Sequence, residues 1–139
     1  MSRSIYLFLF ILLSNSLAFG LPPKPDKCPT TNSIKAAGLM SAEWDAVDNM
    51  YIAGQVNSYD TPTVNWAFAI SIPNKAAVSV DDALIKARAV LPSLTGIPVP
   101  VAYEDKWICM YNDLTGGFKA IAITPFSLAS VRSPALKVK

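Results

Sequence analysis

Histidine is absent from this sequence of 139 residues, and charged residues make up only 16% of it. Without histidine there is no imidazole general base, no Ser/His or Cys/His nucleophile pair and no histidine metal ligand. The adjacent acids Asp81 and Asp82 are explained by helix capping, and no P-loop lysine accompanies the glycine pair Gly116-Gly117. We therefore predict that the protein is not an enzyme.

Long apolar runs and clustered charges are also missing. The longest apolar run, Ile5 to Leu13, is about half of the roughly 20 residues that a membrane-spanning helix needs, so we predict no permanent membrane span. The 12 basic and 10 acidic residues are interspersed, with a net charge of +2. Nucleic-acid binding depends on a basic patch, so a nucleic-acid partner is not expected either.

The first twenty residues have the pattern of a secretory signal peptide. Arg3 precedes the apolar run, and small residues follow it, with cleavage after Ala18 or, as we prefer, after Gly20. We assign residues 1–20 to the signal peptide, residues 21–30 to a proline-rich leader, residues 31–126 to one α+β domain and residues 127–139 to a loose C-terminal tail. The protein is expected to be exported, either to the periplasm or out of the cell.

The only two cysteines, Cys28 and Cys109, both lie in the exported part. In an oxidising compartment two cysteines form a disulfide, which here would join the leader to a strand near the far end of the domain. The alternative is a reactive thiol or a thiolate ligand, which needs an exposed, electropositive setting. Cys109 lies instead in an alternating segment typical of a half-buried strand, which favours the disulfide.

The order of elements is helix, strand, strand, repeated once. A short helix follows the capping residues 31–33, and a longer one begins at Ser79 or Asp81 and ends before Pro92. Residues 40–49 are ambiguous. Alternation predicts four strands, and they are placed at residues 50–58, 65–72, 106–112 and 118–124. We predict an α+β fold in which two helix-strand-strand units form a four-stranded, mostly antiparallel sheet with helices on one face.

The pleat assigns alternate side chains to two faces of this sheet. One face would be helix-covered core. The other would be a floor of small residues bounded by the aromatic residues Tyr51, Tyr59, Trp107 and Tyr111. Such a surface accepts a flat apolar ligand, and these four residues are the candidate site. The alternative is that the leader, tied down through Cys28, folds across this face as a lid.

Short motifs spread along the chain carry a family resemblance. They include Lys27-Cys28-Pro29, Asn65-Trp66-Ala67-Phe68-Ala69 and Trp107-Ile108-Cys109-Met110-Tyr111. In this order they resemble a family of small exported proteins of unknown function from legionella-type bacteria, some of which are labelled hemin-binding protein. The resemblance covers nearly the whole mature chain and implies hemin as the candidate ligand and cofactor.

Hemin would have to bind here without histidine. Haem iron is held by histidine, cysteine, methionine or tyrosine, and we favour a tyrosine of the candidate site, with Met40, Met50 and Met110 as poorer choices. Alternatively, the porphyrin stacks on Trp107 or Tyr111 without an iron ligand. The sequence thus predicts an exported, non-enzymatic ligand-binding protein. The other prediction is a protein-interaction module that uses the aromatic face or a sheet edge.

Overall fold

A computed structural model of the chain describes residues 20–126. The predicted signal peptide, apart from Gly20, and the predicted tail, residues 127–139, lie outside the described residues. Within them, strands dominate, and the elements form one antiparallel sheet with two α-helices.

Both helices begin where a side chain caps the backbone. Helix α1 (Thr31–Ala37) begins after Thr30, whose hydroxyl accepts a hydrogen bond from the Ser33 amide. Helix α2 (Val80–Val90) begins after Ser79, whose hydroxyl accepts one from the Asp82 amide, so Ser79 is the cap of the two that were predicted. Helix α1 stops before Gly38, where φ is +76°, a value that glycine adopts without strain.

The sheet has six strands in the order β1-β2-β3-β6-β5-β4, and every neighbouring pair is antiparallel. The strands are β1 (Ser41–Asp45), β2 (Met50–Asn57), β3 (Trp66–Pro73), β4 (Val101–Tyr103), β5 (Lys106–Met110) and β6 (Lys119–Thr124). Short 3₁₀ turns follow β3 at Asn74–Ala76 and helix α2 at Leu91–Ser93, and a third lies between β5 and β6 at Thr115–Gly117.

The prediction of a four-stranded sheet built from two helix-strand-strand units is wrong, although the α+β class is correct. Two edge strands were missed. Strand β1 lies in the ambiguous region 40–49, where its turn lacks glycine and uses Asn49 at φ +54° instead. Strand β4 has only three residues, too few for alternation to be visible.

The predicted assignment of side chains to the two faces is also wrong, because β3 is out of phase with the other strands. Ile70 lies opposite Ala53 on one side and Ala120 on the other, so these three side chains share a face. On this face Phe68 and Ile70 therefore lie beside the small residues Ala122 and Ala120 of β6, and Ile70 also lies beside Ala53 of β2. Alternation within a strand does not reveal this phase, since it depends on the register between strands.

One face of the sheet, here called the helix face, packs against both helices. Ile34 of α1 and Ala83 and Ala87 of α2 are completely buried in the same hydrophobic cluster as Phe68 and Ile70. The opposite face is here called the groove face, and its cluster consists of strand residues. These are Met50, Ile52, Ala67, Ala69, Ile108, Ile121 and Ile123.

Candidate functional site

The leader lies across one end of the helix face and is attached there covalently. Cys28 and Cys109 form the predicted disulfide, which spans 81 positions of the sequence. Close to it, the Tyr111 hydroxyl donates a hydrogen bond to the Pro29 carbonyl, 2.5 Å away. Cys109 and Tyr111 belong to the predicted aromatic face, so the structure has the alternative arrangement, in which the leader folds across that face.

Trp107 is covered by the same leader. Its indole Nε1 donates to the Pro22 carbonyl at 2.8 Å, and the Lys24 ammonium lies 5.9 Å from the ring centroid. This distance is within the range of a cation–π contact. The ring face that sequence analysis offered to a ligand is therefore in contact with the protein's own leader.

Asp60, in the β2–β3 turn, holds the leader and the start of α1 in place. One of its oxygens accepts from the Thr30 amide and the Ser33 hydroxyl, each at 3.0 Å, and the other pairs with Lys27 at 3.1 Å. Burial raises the pKa of Asp60, but these hydrogen bonds outweigh burial and hold the pKa well below its ordinary value. The ionised carboxylate thus stabilises the covered arrangement.

Replacing Asp60 with asparagine should therefore lower the free energy of unfolding at pH 7 by about 1 kcal/mol, as expected for a partly exposed, charge-assisted network. Because the pKa of Asp60 is lower in the folded protein than in the unfolded chain, the stabilisation is fully present above the unfolded pKa, near 3.9. It declines as pH falls below that value toward the folded pKa. The difference between wild type and Asp60→Asn should accordingly shrink below pH 4. Urea denaturation at pH 7 and pH 3 measures this.

Asp26→Asn is the matched control, because Asp26 is an exposed carboxylate of the same leader. It should change stability by less than about 0.5 kcal/mol at either pH. Equal effects of the two substitutions would contradict the role given to Asp60.

Two of the predicted tyrosines, Tyr59 and Tyr111, lie near each other under this cover. Burial raises the pKa of Tyr59 and that of Tyr111, and the nearby Asp60 carboxylate raises the pKa of Tyr111 further. The Tyr59 hydroxyl donates to the Gln55 carbonyl at 3.3 Å. Both phenols are therefore held protonated and hydrogen-bonded, whereas ferric iron is bound by a phenolate.

The fourth predicted residue, Tyr51, lies elsewhere on the helix face. Its ring packs edge-on against Trp44 of β1, with 4.8 Å between ring centroids. The structure thus brings Tyr59 and Tyr111 together and places Trp107 under the leader. Tyr51 belongs to a separate aromatic pair.

The groove face carries an open apolar cavity that the sequence analysis missed. Its volume is about 370 Å³, within the range of small-molecule sites. It is hereafter called the groove, and its lining includes Met40, Glu43, Ile52, Gly54, Val56, Ala67, Ala69 and Phe126.

The depth of the groove follows from three small residues of β2 and β3, which are Gly54, Ala67 and Ala69. Gly54 lies directly opposite Ala69 in the register of the two strands. A Cβ atom at Gly54 would lie 2.5 Å from the Phe68 carbonyl oxygen, so only glycine fits there with the strands in this register. Met40 is 72% exposed and Phe126 is 42% exposed, which leaves both side chains accessible to a ligand.

The signal for this groove was present in the sequence but was assigned to the wrong face. Ala67 and Ala69 were read as part of the floor of the aromatic face, together with Ala53 and Ala120. The register between the strands places Ala67 and Ala69 on the groove face and Ala53 and Ala120 on the helix face. No lysine or arginine lines the groove among the described residues.

Comparison with known proteins places the chain in a family. A family model described as a domain of unknown function, DUF4949, matches residues 27–137. The chain belongs to the DUF4949 family. The matched region starts one residue before Cys28 and continues beyond Phe126, so it includes both cysteines and every residue of the groove. The chain matches no curated protein and no solved structure.

Within residues 20–126, no helix has the length and the apolar character needed to cross a membrane. In the same residues, no three histidine, cysteine or acidic side chains come together in a way that would hold a metal ion.

Proposed function

We propose that this DUF4949 protein is an exported, non-enzymatic binding protein that holds an apolar ligand in the groove. The proposal rests on the cavity of about 370 Å³, whose floor is formed by Gly54, Ala67 and Ala69. The cavity opens on the groove face, where the hydrophobic cluster consists of strand residues. Export is supported by the disulfide, since such bonds persist in oxidising compartments.

Hemin is the first ligand to test, because some members of the family that the sequence resembles are labelled hemin-binding protein. The groove would take one apolar edge of the porphyrin. Among its lining residues, Met40 offers an iron ligand, a thioether on a side chain that is 72% exposed. The protonated, hydrogen-bonded Tyr59 and Tyr111 make the aromatic face a poorer iron site than the sequence suggested.

Hemin titration of the exported protein should therefore give a saturable shift of the Soret band at stoichiometric concentration. Met40→Leu should weaken binding at least ten-fold, because it removes the thioether and keeps an apolar side chain of similar size. Met110→Leu is the matched control, since Met110 is also exposed (47%) on the groove face but does not line the groove. It should leave the shift unchanged.

Tyr111→Phe distinguishes the two faces in the same titration. If hemin binds on the aromatic face through Tyr111, this substitution, and not Met40→Leu, should abolish the shift. If wild-type protein gives no saturable shift, hemin is not the ligand.

Filling the groove should block any ligand that enters it. Leucine in place of Ala69 projects into the cavity above Gly54, so the affinity for N-phenyl-1-naphthylamine, a neutral apolar fluorophore, should fall at least ten-fold. Ala102→Leu is the control, because Ala102 is exposed on β4 and does not line the groove. Fluorescence titration measures both affinities, and circular dichroism checks the fold. Unchanged affinity in Ala69→Leu would contradict the proposal.

A second candidate function, docking of a protein partner, is favoured by an exposed apolar ridge that leads into edge strand β4 and includes its first residue. Ile97 is fully exposed, Val99 is 67% exposed and Val101 is 50% exposed. Exposed apolar patches of this kind mark interaction sites. Pro98 and Pro100 lie between them and lack the amide donors that strand pairing needs, so contact would be through side chains.

A photo-crosslinking amino acid placed at position 99 in exporting cells tests this second function. The same amino acid at the exposed Lys75 is the control. A discrete adduct from position 99 alone would support a partner at the ridge. No adduct, or the same adducts from both positions, would contradict it.

A further inference from the structure

The lining of the groove changes from polar to apolar across the sheet. Ser41 and Glu43 of edge strand β1 lie opposite Gly54 and Ile52 in the β1–β2 register, so both project from the groove face. The lining that β2 and β3 supply on this face is apolar and consists of Ile52, Gly54, Val56, Ala67 and Ala69. A molecule that lies across the strands therefore meets a polar margin at β1 and an apolar floor beyond it.

Glu43 supplies the charge of this polar margin. Among the described residues that line the groove, Glu43 is the one with an ionisable side chain. It is half-buried, so its charge is screened by salt less than that of a fully exposed carboxylate. A carboxylate in this position attracts an ammonium group on a ligand and repels a carboxylate group, and like-charge repulsion is one source of ligand specificity.

Basic residues are missing from the part of the chain that builds the groove. Residues 36–74 contribute every lining residue except Phe126, and they include four acids and no lysine or arginine. Arg88 of α2 reaches this segment from the helix side, but its guanidinium donates two hydrogen bonds to the Leu39 carbonyl, at 3.1 and 2.8 Å. The described walls of the groove therefore offer no counter-charge to an anionic ligand.

Two lysines lie on the groove face farther along the sheet, and each has an acidic partner. The strand register places Lys106 of β5 and Lys119 of β6 on this face, outside the groove. Lys106 pairs with Asp105 at 2.8 Å, and Lys119 pairs with Asp113 at 3.5 Å. Neither lysine thus brings an unopposed positive charge to the groove.

We propose that the groove selects a cationic amphiphile, with the apolar chain over Gly54, Ala67 and Ala69 and the ammonium group at Glu43. This inference rests on the proposed function, because it names the chemical class of ligand for the same groove. Carboxylate amphiphiles of the same chain length are selected against. Hemin satisfies this rule with its anionic propionates directed to solvent and an apolar edge of the porphyrin in the groove.

Displacement of N-phenyl-1-naphthylamine from the exported protein by three decyl compounds tests the proposal. At pH 7, decylamine is cationic, 1-decanol is neutral and decanoate is anionic, while their apolar chains are alike. Attraction of one head group and repulsion of the other each contribute up to about five-fold for a partly exposed pair. Decylamine should therefore displace the fluorophore at a concentration about ten-fold below that of decanoate, with decanol between them. Equal or tighter binding of decanoate would overturn the proposal.

Glu43→Gln tests whether this preference comes from the carboxylate in the groove. The substitution removes the charge and keeps the size of the side chain, so the ten-fold preference for decylamine should fall at least five-fold. Glu104→Gln is the matched control, because Glu104 is exposed in the β4–β5 turn and does not line the groove. It should leave the preference unchanged. A preference that survives Glu43→Gln, or that falls equally in both variants, would overturn the proposal.

Salt dependence of the wild-type protein keeps the proposal falsifiable if Glu43→Gln fails to fold. Raising the sodium chloride concentration from about 20 mM to about 500 mM shortens the range of electrostatic interactions several-fold. The preference for decylamine over decanoate should then fall at least three-fold. A preference that does not change with salt would contradict selection by charge.

The fluorophore separates failure of this inference from failure of the proposed function. If N-phenyl-1-naphthylamine binds and the three decyl compounds displace it equally well, the groove binds apolar ligands and the selection by charge is refuted. If neither the fluorophore nor any decyl compound binds, the proposed function fails and the inference fails with it.

Discussion

Replacing Cys28 and Cys109 together with alanine is expected to lower the free energy of unfolding by about 4 kcal/mol. The disulfide closes a loop across 81 positions of the sequence, and the entropy lost by the unfolded chain grows with loop length. Both half-cystines are buried against the helix face, so the bond also fixes the leader in place. Urea denaturation of the variant and the oxidised wild type measures the difference.

Reduced wild-type protein is the matched control for this substitution. It should unfold at nearly the same urea concentration as the double variant, because both lack the same cross-link. In both, Trp107 should become more accessible to a fluorescence quencher as the leader loosens. A loss of less than about 1 kcal/mol, with Trp107 still protected, would mean that the hydrogen bonds from Trp107 and Tyr111 hold the leader without the disulfide.

Trp66→Ala is expected to cost a similar amount, about 4 kcal/mol. Trp66 is completely buried at the start of β3, and its indole Nε1 donates to the Thr61 hydroxyl at 3.0 Å. The substitution leaves a large cavity and frees the β2–β3 turn that carries Asp60. Thermal and urea denaturation should both show the loss.

Two further variants separate the parts of this effect. Trp66→Phe keeps most of the buried ring and removes the hydrogen bond, so it should cost about 1 to 2 kcal/mol. Trp44→Ala removes an indole that is 39% exposed and should cost clearly less than Trp66→Ala. Equal losses at Trp44 and Trp66 would contradict the placement of Trp66 in the core.

The central strands and the disulfide were predictable because their signals are local. Alternation identified β2, β3, β5 and β6 to within one or two residues, and Ser79 was one of two recognisable candidates for the helix cap. The edge strands gave weaker signals. Strand β4 is three residues long, and β1 ends at Asp45, whose carboxylate accepts backbone hydrogen bonds from the turn that follows.

The candidate site was harder to predict, because it depends on register between strands. Moving β3 by one residue exchanges its two faces, so Ala67 and Ala69 leave the aromatic face and become the floor of the groove. The role of the leader was visible as an alternative, since a disulfide from Cys28 to Cys109 brings it onto the sheet. Its contacts with Trp107 and Tyr111 required coordinates.

The most direct test of the groove as the binding site is amide chemical-shift mapping of the exported protein, saturated with N-phenyl-1-naphthylamine. We predict that the largest changes occur at Gly54, Ala67 and Ala69, with little change at Trp107 and Tyr111. Changes centred on Trp107 and Tyr111, or no saturable change at all, would contradict a binding site on the groove face.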